Sequence, residues 1–126
     1  MNTLFLVYLI VEAIFGIGFL FVPGLMMAPM GVTLDETSIT FARLFGSLII
    51  SIPVLLFLAR KSANTEFKRG VVYSIFIYLL LSTTILLITQ IKGLMNSMGW
   101  GIVILHLLFM LWFGYFLIKQ GKRERV

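Results

Sequence analysis

Four long apolar runs follow one another along the chain, at residues 3–22, 40–59, 71–91 and 100–118, each bounded by charge, by Pro and Gly, or by a polar turn. About 20 residues at a rise of about 1.5 Å cross a hydrocarbon core about 30 Å thick, so each run predicts a transmembrane helix. The expected fold class is all-α: one domain, an integral membrane four-helix bundle. Within the second run Arg43, Ser47 and Ser51 recur at i, i+4 and i+8, and Ser74, Tyr78 and Ser82 do the same in the third. That spacing places each set on one helix face. Thr83, Thr89 and Gln90 add polarity further along the third run. Lipid cannot satisfy such groups, so both faces are expected to turn inward. Ser and Thr also bond their own helix backbone in membranes, and small residues such as Ala42, Gly46, Ser47 and Ser51 let helices approach closely.

The connections carry the orientation. The ten Lys and Arg concentrate in the loop 60–70 (Arg60, Lys61, Lys68, Arg69) and the tail 119–126 (Lys119, Lys122, Arg123, Arg125). An even number of spans puts loop and tail on one side, which the positive-inside rule makes cytoplasmic together with the N-terminus. The opposite side holds Asp35, Glu36 and Lys92. Its first loop, 23–39, is itself apolar and is expected to lie in the interface or fold over the bundle mouth. The stretch Thr33-Leu-Asp-Glu36 matches a capping box with acidic side chains in the first helical turn.

Composition agrees: 60% hydrophobic residues, 12% charged and a mean hydropathy of +1.09 lie far outside soluble globular proteins. The chain contains no cysteine, which removes disulfides, thiolate nucleophiles and thiolate metal sites. The basic pI reflects charges flanking apolar segments, so membrane lipids are the expected partner and nucleic acid is not. The first run lacks a basic n-region and a small-residue cleavage site, and reads as a span, not a signal peptide.

One residue does not belong in its surroundings. Glu12 lies in the middle of the first run, about 15 Å from its outer edge. A carboxyl at that depth is answered by a proton, by a partner, or by a wet cavity. Arg43 and His106 fall in the same outer half and are the available partners, with His106 nearer in depth. A buried structural hydrogen bond is the plain alternative for Glu12, a carbonyl-bonded core histidine for His106, and an interfacial anchor for Arg43. The expected ligand-binding set is Glu12, Arg43, His106, Ser47, Ser51, Tyr78, Ser82 and Thr83. Met26, Met27, Met30, Met95 and Met98 gather in the two outer loops; thioethers ligate Cu(I), and they equally form adaptable apolar surface. Trp100, Trp112, Tyr115 and the many Phe read as interface belt and lipid-facing bulk. His106 is the sole histidine and no nucleophile and base pair is evident, so neither enzymatic activity nor a cofactor is expected.

The segments Leu20-Phe-Val-Pro-Gly-Leu25, Met30-Gly-Val32, Phe41-Ala-Arg-Leu-Phe-Gly46 and Leu58-Ala-Arg60 resemble small bacterial four-helix membrane proteins of the DoxX-like kind. The resemblance covers roughly the first half of the chain, emphasises Arg43, and implies a four-helix bundle and, for most relatives, no established activity. In size, span count and the helix-one Val11-Glu12-Ala13 the chain also resembles small multidrug resistance exporters, whose carboxylate exchanges protons for cationic drugs. It departs from them in its long first outer loop and one-sided charge. The leading expectation is a non-enzymatic multi-pass inner-membrane protein with a polar pocket for a lipid or amphipathic ligand. The alternatives are a proton-coupled transporter working as an oligomer through Glu12, Cu(I) binding at the loop methionines, and a scaffold subunit of a larger complex.

Overall fold

The computed structural model describes residues 1–123, with side chains through Lys119. The last residues of the predicted basic tail, 124–126, and the side chains of 120–123 lie outside the described residues. The chain folds into α1 (Asn2–Phe21), α2 (Pro23–Met27), α3 (Glu36–Lys61), α4 (Thr65–Ile91) and α5 (Gly99–Arg123), with a 3₁₀ turn at Ala28–Met30. Four of the helices are long and apolar enough to cross a membrane. All but the first outrun the spans read from hydropathy, because polar residues just outside an apolar run still continue a helix until a cap stops it.

Those caps are local chemistry. Pro23 opens α2 directly after α1, at a first-turn position where its missing N–H is not needed. Gly31 takes φ 75°, a left-handed turn that ends the 3₁₀ segment. Asp35, not Thr33, caps α3: its Oδ1 accepts from the Ser38 N–H at 2.7 Å, which corrects the expected capping box. Asn64 does the same for α4, accepting from the Phe67 N–H at 3.0 Å.

The bundle is built as two pairs. α1 packs along α3 and α4 along α5, whereas α3 and α4, although consecutive, touch little. The first pair crosses at two glycines. A Cβ on Gly46 would stand 2.5 Å from the Leu20 backbone nitrogen and 2.9 Å from the Gly16 carbonyl oxygen, so only hydrogen fits there. At the end carrying the N-terminus and the Ser62–Asn64 turn the two pairs close on one apolar core. Phe5, Tyr8, Leu56, Leu79 and Phe113 are almost fully buried in it. Tyr8 meets Phe109 with ring centroids 4.7 Å apart and Phe113 edge-on at 5.2 Å. These aromatics are therefore an interior plug, which for Phe5, Phe109 and Phe113 corrects the expectation that the Phe residues are lipid-facing bulk, whereas Trp100, Trp112 and Tyr115 are exposed.

At the opposite end the apolar loop is structured. α2 lies against α1 and α3, and Asn96 ties the following turn to the α4–α5 connection. Its Nδ2 donates to the Pro29 carbonyl at 3.0 Å, and its backbone N–H donates to Met30 at 2.9 Å. The loop thus bridges the two pairs, as expected of a segment folding over the bundle mouth.

Candidate functional site

Because the pairs close at one end only, a gap remains between them in the other half. It forms a cavity of about 230 Å³ lined from all four long helices. α1 contributes Glu12, Phe15 and Phe19; with Tyr8 these recur at helical spacing and form one stripe. α4 contributes Tyr78 and Ser82, and α5 contributes His106. Phe19 and Phe45 meet edge to face at 5.5 Å across the α1–α3 crossing and form an aromatic wall.

Glu12 is 5% exposed, and what it faces is this cavity and a small void beneath it shared with Tyr8, His106 and Phe109. The Tyr8 hydroxyl lies one turn away along α1, buried and close enough to the Glu12 carboxyl to interact with it, without the geometry of a well-formed hydrogen bond. His106 places Nδ1 at 3.0 Å from the Ile102 carbonyl oxygen. A carbonyl only accepts, so Nδ1 carries a proton, and in the neutral ring Nε2 keeps its lone pair. The plain reading of His106 as a carbonyl-bonded histidine therefore holds for one ring nitrogen and leaves the other available. Ser82 donates to the Leu79 carbonyl at 3.3 Å, so its oxygen retains acceptor capacity. The remaining lining is aromatic and aliphatic, which keeps the local dielectric low and each polar contact consequential.

Of the residues singled out in the sequence, Glu12, Tyr78, Ser82 and His106 line this one cavity. Arg43, Ser47, Ser51 and Thr83 do not. Arg43 and Ser47 are exposed on α3 and do not line the cavity. Ser47 and Ser51 bond their own backbone, donating to Leu44 at 2.7 Å and Leu48 at 2.6 Å. The expectation that this whole face turns inward is thus corrected. The Gly16–Gly46 crossing fixes the rotation of α3, and it presents Gly46 and Ile49 inward, leaving Arg43 outside. Ser51 reaches only a groove of about 210 Å³ between α3 and α4, opposite Ser74. Thr83 is buried elsewhere on α4, its hydroxyl without a partner.

The loop methionines stand in different environments. Met26 packs where Gly18 of α1 leaves room for it, Met95 is buried at 7% exposure, and Met98 is exposed at 63%. Among the described residues no group of three or more His, Cys, Asp or Glu could hold a metal ion. The residues the sequence reading passed over are Tyr8, Phe15, Phe19 and Phe45. Their signal was present: the first three share the Glu12 stripe at offsets −4, +3 and +7.

Comparison with known proteins gives a family without a described activity. A family model described as Domain of unknown function (DUF8292) matches residues 6–125. Neither a curated protein nor a solved structure matches the chain.

Proposed function

Within the DUF8292 family, to which this chain belongs, we propose that it is a non-enzymatic integral membrane protein that binds the polar end of a lipid or other amphipathic molecule in the cavity beside Glu12. The observation that carries this reading is the convergence of Glu12, Tyr78, Ser82 and His106 on one otherwise apolar cavity. A polar cluster inside an apolar enclosure fixes the orientation of a ligand whose remaining surface is greasy. By the positive-inside rule the basic loop 60–70 and tail support an orientation with the plugged end at the cytoplasmic face of an inner membrane and the cavity in the outer half.

The aromatic plug favours binding over passage. A proton-coupled transporter needs a route from the carboxyl to both faces, and Phe5, Tyr8, Phe109 and Phe113 occupy that route at the basic end of a single chain. Exposed Arg43 serves as an interfacial anchor in this reading.

Filling the cavity tests the proposal. Ser82→Trp places an indole in the space a ligand would occupy. Native mass spectrometry of the purified chain, released gently from detergent, is expected to show a retained apolar adduct on the natural sequence and none on the variant. Identical adduct profiles from two equally helical proteins would remove the proposed site.

A further inference from the structure

We infer that the cavity selects an uncharged long-chain alcohol, admitted sideways from the bilayer between α3 and α4. This rests on the binding reading above and names the ligand class that its geometry suits.

The direction of entry comes from exposure. Phe45 on α3 and Ile85 on α4 both line the cavity, yet they are 41% and 64% exposed. The opening between them therefore faces whatever surrounds the bundle laterally. The α3–α4 groove of about 210 Å³ shares Phe45, Ile49 and Tyr78 with the cavity and continues it along the helices. An apolar void of about 150 Å³ already accommodates benzene. The cavity thus holds the head and first carbons of an amphiphile, and the groove carries its tail.

The head must match the groups that meet it. Among the described residues lining the cavity there is no Lys or Arg, so a phosphate or carboxylate would be stripped of water with no countercharge. A cationic head would find Glu12, but a buried ion pair repays its desolvation only when further hydrogen bonds satisfy the remaining protons of the cation, and Glu12 is the one carboxylate among the described residues lining the cavity. A hydroxyl suits both kinds of group present. The Tyr78 O–H can donate to it, while the ligand hydroxyl's single proton can go either to His106 Nε2 or to the Ser82 oxygen, whose own proton is committed to Leu79. Glu12 completes the ring on the α1 side.

Photolabelling of the full chain in phosphatidylcholine vesicles tests this, using diazirine-bearing hexadecanol and the matched hexadecylamine and palmitic acid. Cross-links are mapped by mass spectrometry. Saturable labelling of Phe15, Phe45 or Ile85 by the alcohol, displaced by plain hexadecanol but not by plain hexadecylamine or palmitate, is the expected result. Glu12→Leu should lower that labelling about tenfold by removing one buried polar partner, and Glu12→Gln should restore most of it. Saturable labelling by the amine or the acid in place of the alcohol overturns the ligand class while the binding site stands. If no probe labels these positions saturably in the unsubstituted chain, both the ligand class and the site fall.

Discussion

Gly46→Ala is the sharpest perturbation the fold offers, because the added methyl would meet backbone and not a side chain able to turn aside. The new Cβ would lie 2.5 Å from the Leu20 nitrogen, 2.8 Å from the Phe19 carbonyl carbon and 2.9 Å from the Gly16 oxygen. An ordinary contact starts near 3.4 Å, so α1 must retreat from α3 by about 1 Å. A gap of that size forfeits about a quarter to a half of each dispersion contact at the crossing, and each contact is worth about 0.1–0.2 kcal/mol. Summed over the crossing, the loss is expected within the usual range for overpacking, about 1–3 kcal/mol. Alanine's better helix propensity returns at most about 1 kcal/mol. Gly101→Ala is the control: nothing lies within 4 Å of its added Cβ, so it should be neutral or stabilising by up to about 1 kcal/mol. Denaturation in mild detergent, followed by far-UV circular dichroism, should separate the two variants clearly. The aromatic wall of Phe19 and Phe45 straddles the crossing, so ligand retention should fall with stability in Gly46→Ala alone. Equal stability of the two variants would mean that α1 and α3 do not cross at this glycine, and the inward rotation of Ile49 argued from it would fail.

Tyr8→Phe removes a buried hydroxyl that has no well-formed hydrogen bond, so stability should be unchanged or rise by up to about 1 kcal/mol; a loss of about 1 kcal/mol or more in the same denaturation assay would show that its interaction with Glu12 is a stabilising hydrogen bond. Asn96→Ala deletes the side-chain link to Pro29 and the acceptor for the Met98 N–H. Hydrogen exchange across residues 26–34 should accelerate and stability fall by about 1–2 kcal/mol, with bundle helicity retained; unchanged exchange there would contradict the clasp. The hydrogen bonds from Ser38 hold the Asp35 carboxyl below its ordinary pKa. A depressed folded-state value stabilises above the unfolded pKa of about 3.9 and is lost as pH falls through the folded value. Protection of the first-turn amides of α3, taken relative to their intrinsic exchange rate at each pH, should therefore fall below about pH 4 in the natural chain, and Asp35→Asn, which keeps the cap but cannot titrate, should flatten that dependence.

How much was legible follows from what each signal depends on. Glu12 stood out because an acid within 20 apolar residues is anomalous whatever surrounds it, and Tyr78 and Ser82 followed from helical spacing to each other. Arg43, Ser47 and Ser51 have the same spacing as Ser74, Tyr78 and Ser82, yet one set lies mainly outside and the other lines cavity and groove. Periodicity states which residues share a face and is silent on where that face points. Serine can satisfy its hydroxyl on its own helix, so its polarity does not force it inward. Phe5, Tyr8, Phe109 and Phe113 were missed for the converse reason: aromatic rings are compatible with lipid, interface and core alike.

The chain's own residues determine that there are four long apolar helices, where Pro, Gly, Asp35 and Asn64 interrupt or cap them, and that one of them carries an acid at mid-length. These are local properties, set by hydropathy over about 20 residues and by hydrogen bonds spanning three or four positions. Tertiary structure alone decides that α1 pairs with α3 and α4 with α5, that the pairs close on an aromatic plug at one end, and that the space left at the other joins Glu12 to His106 and not to Arg43. The physical reason is the rotation of each helix about its axis. In apolar surroundings that rotation is governed by backbone approach, as at Gly16 and Gly46, and not by a polar face, which on α3 points outward with Arg43 and Ser47.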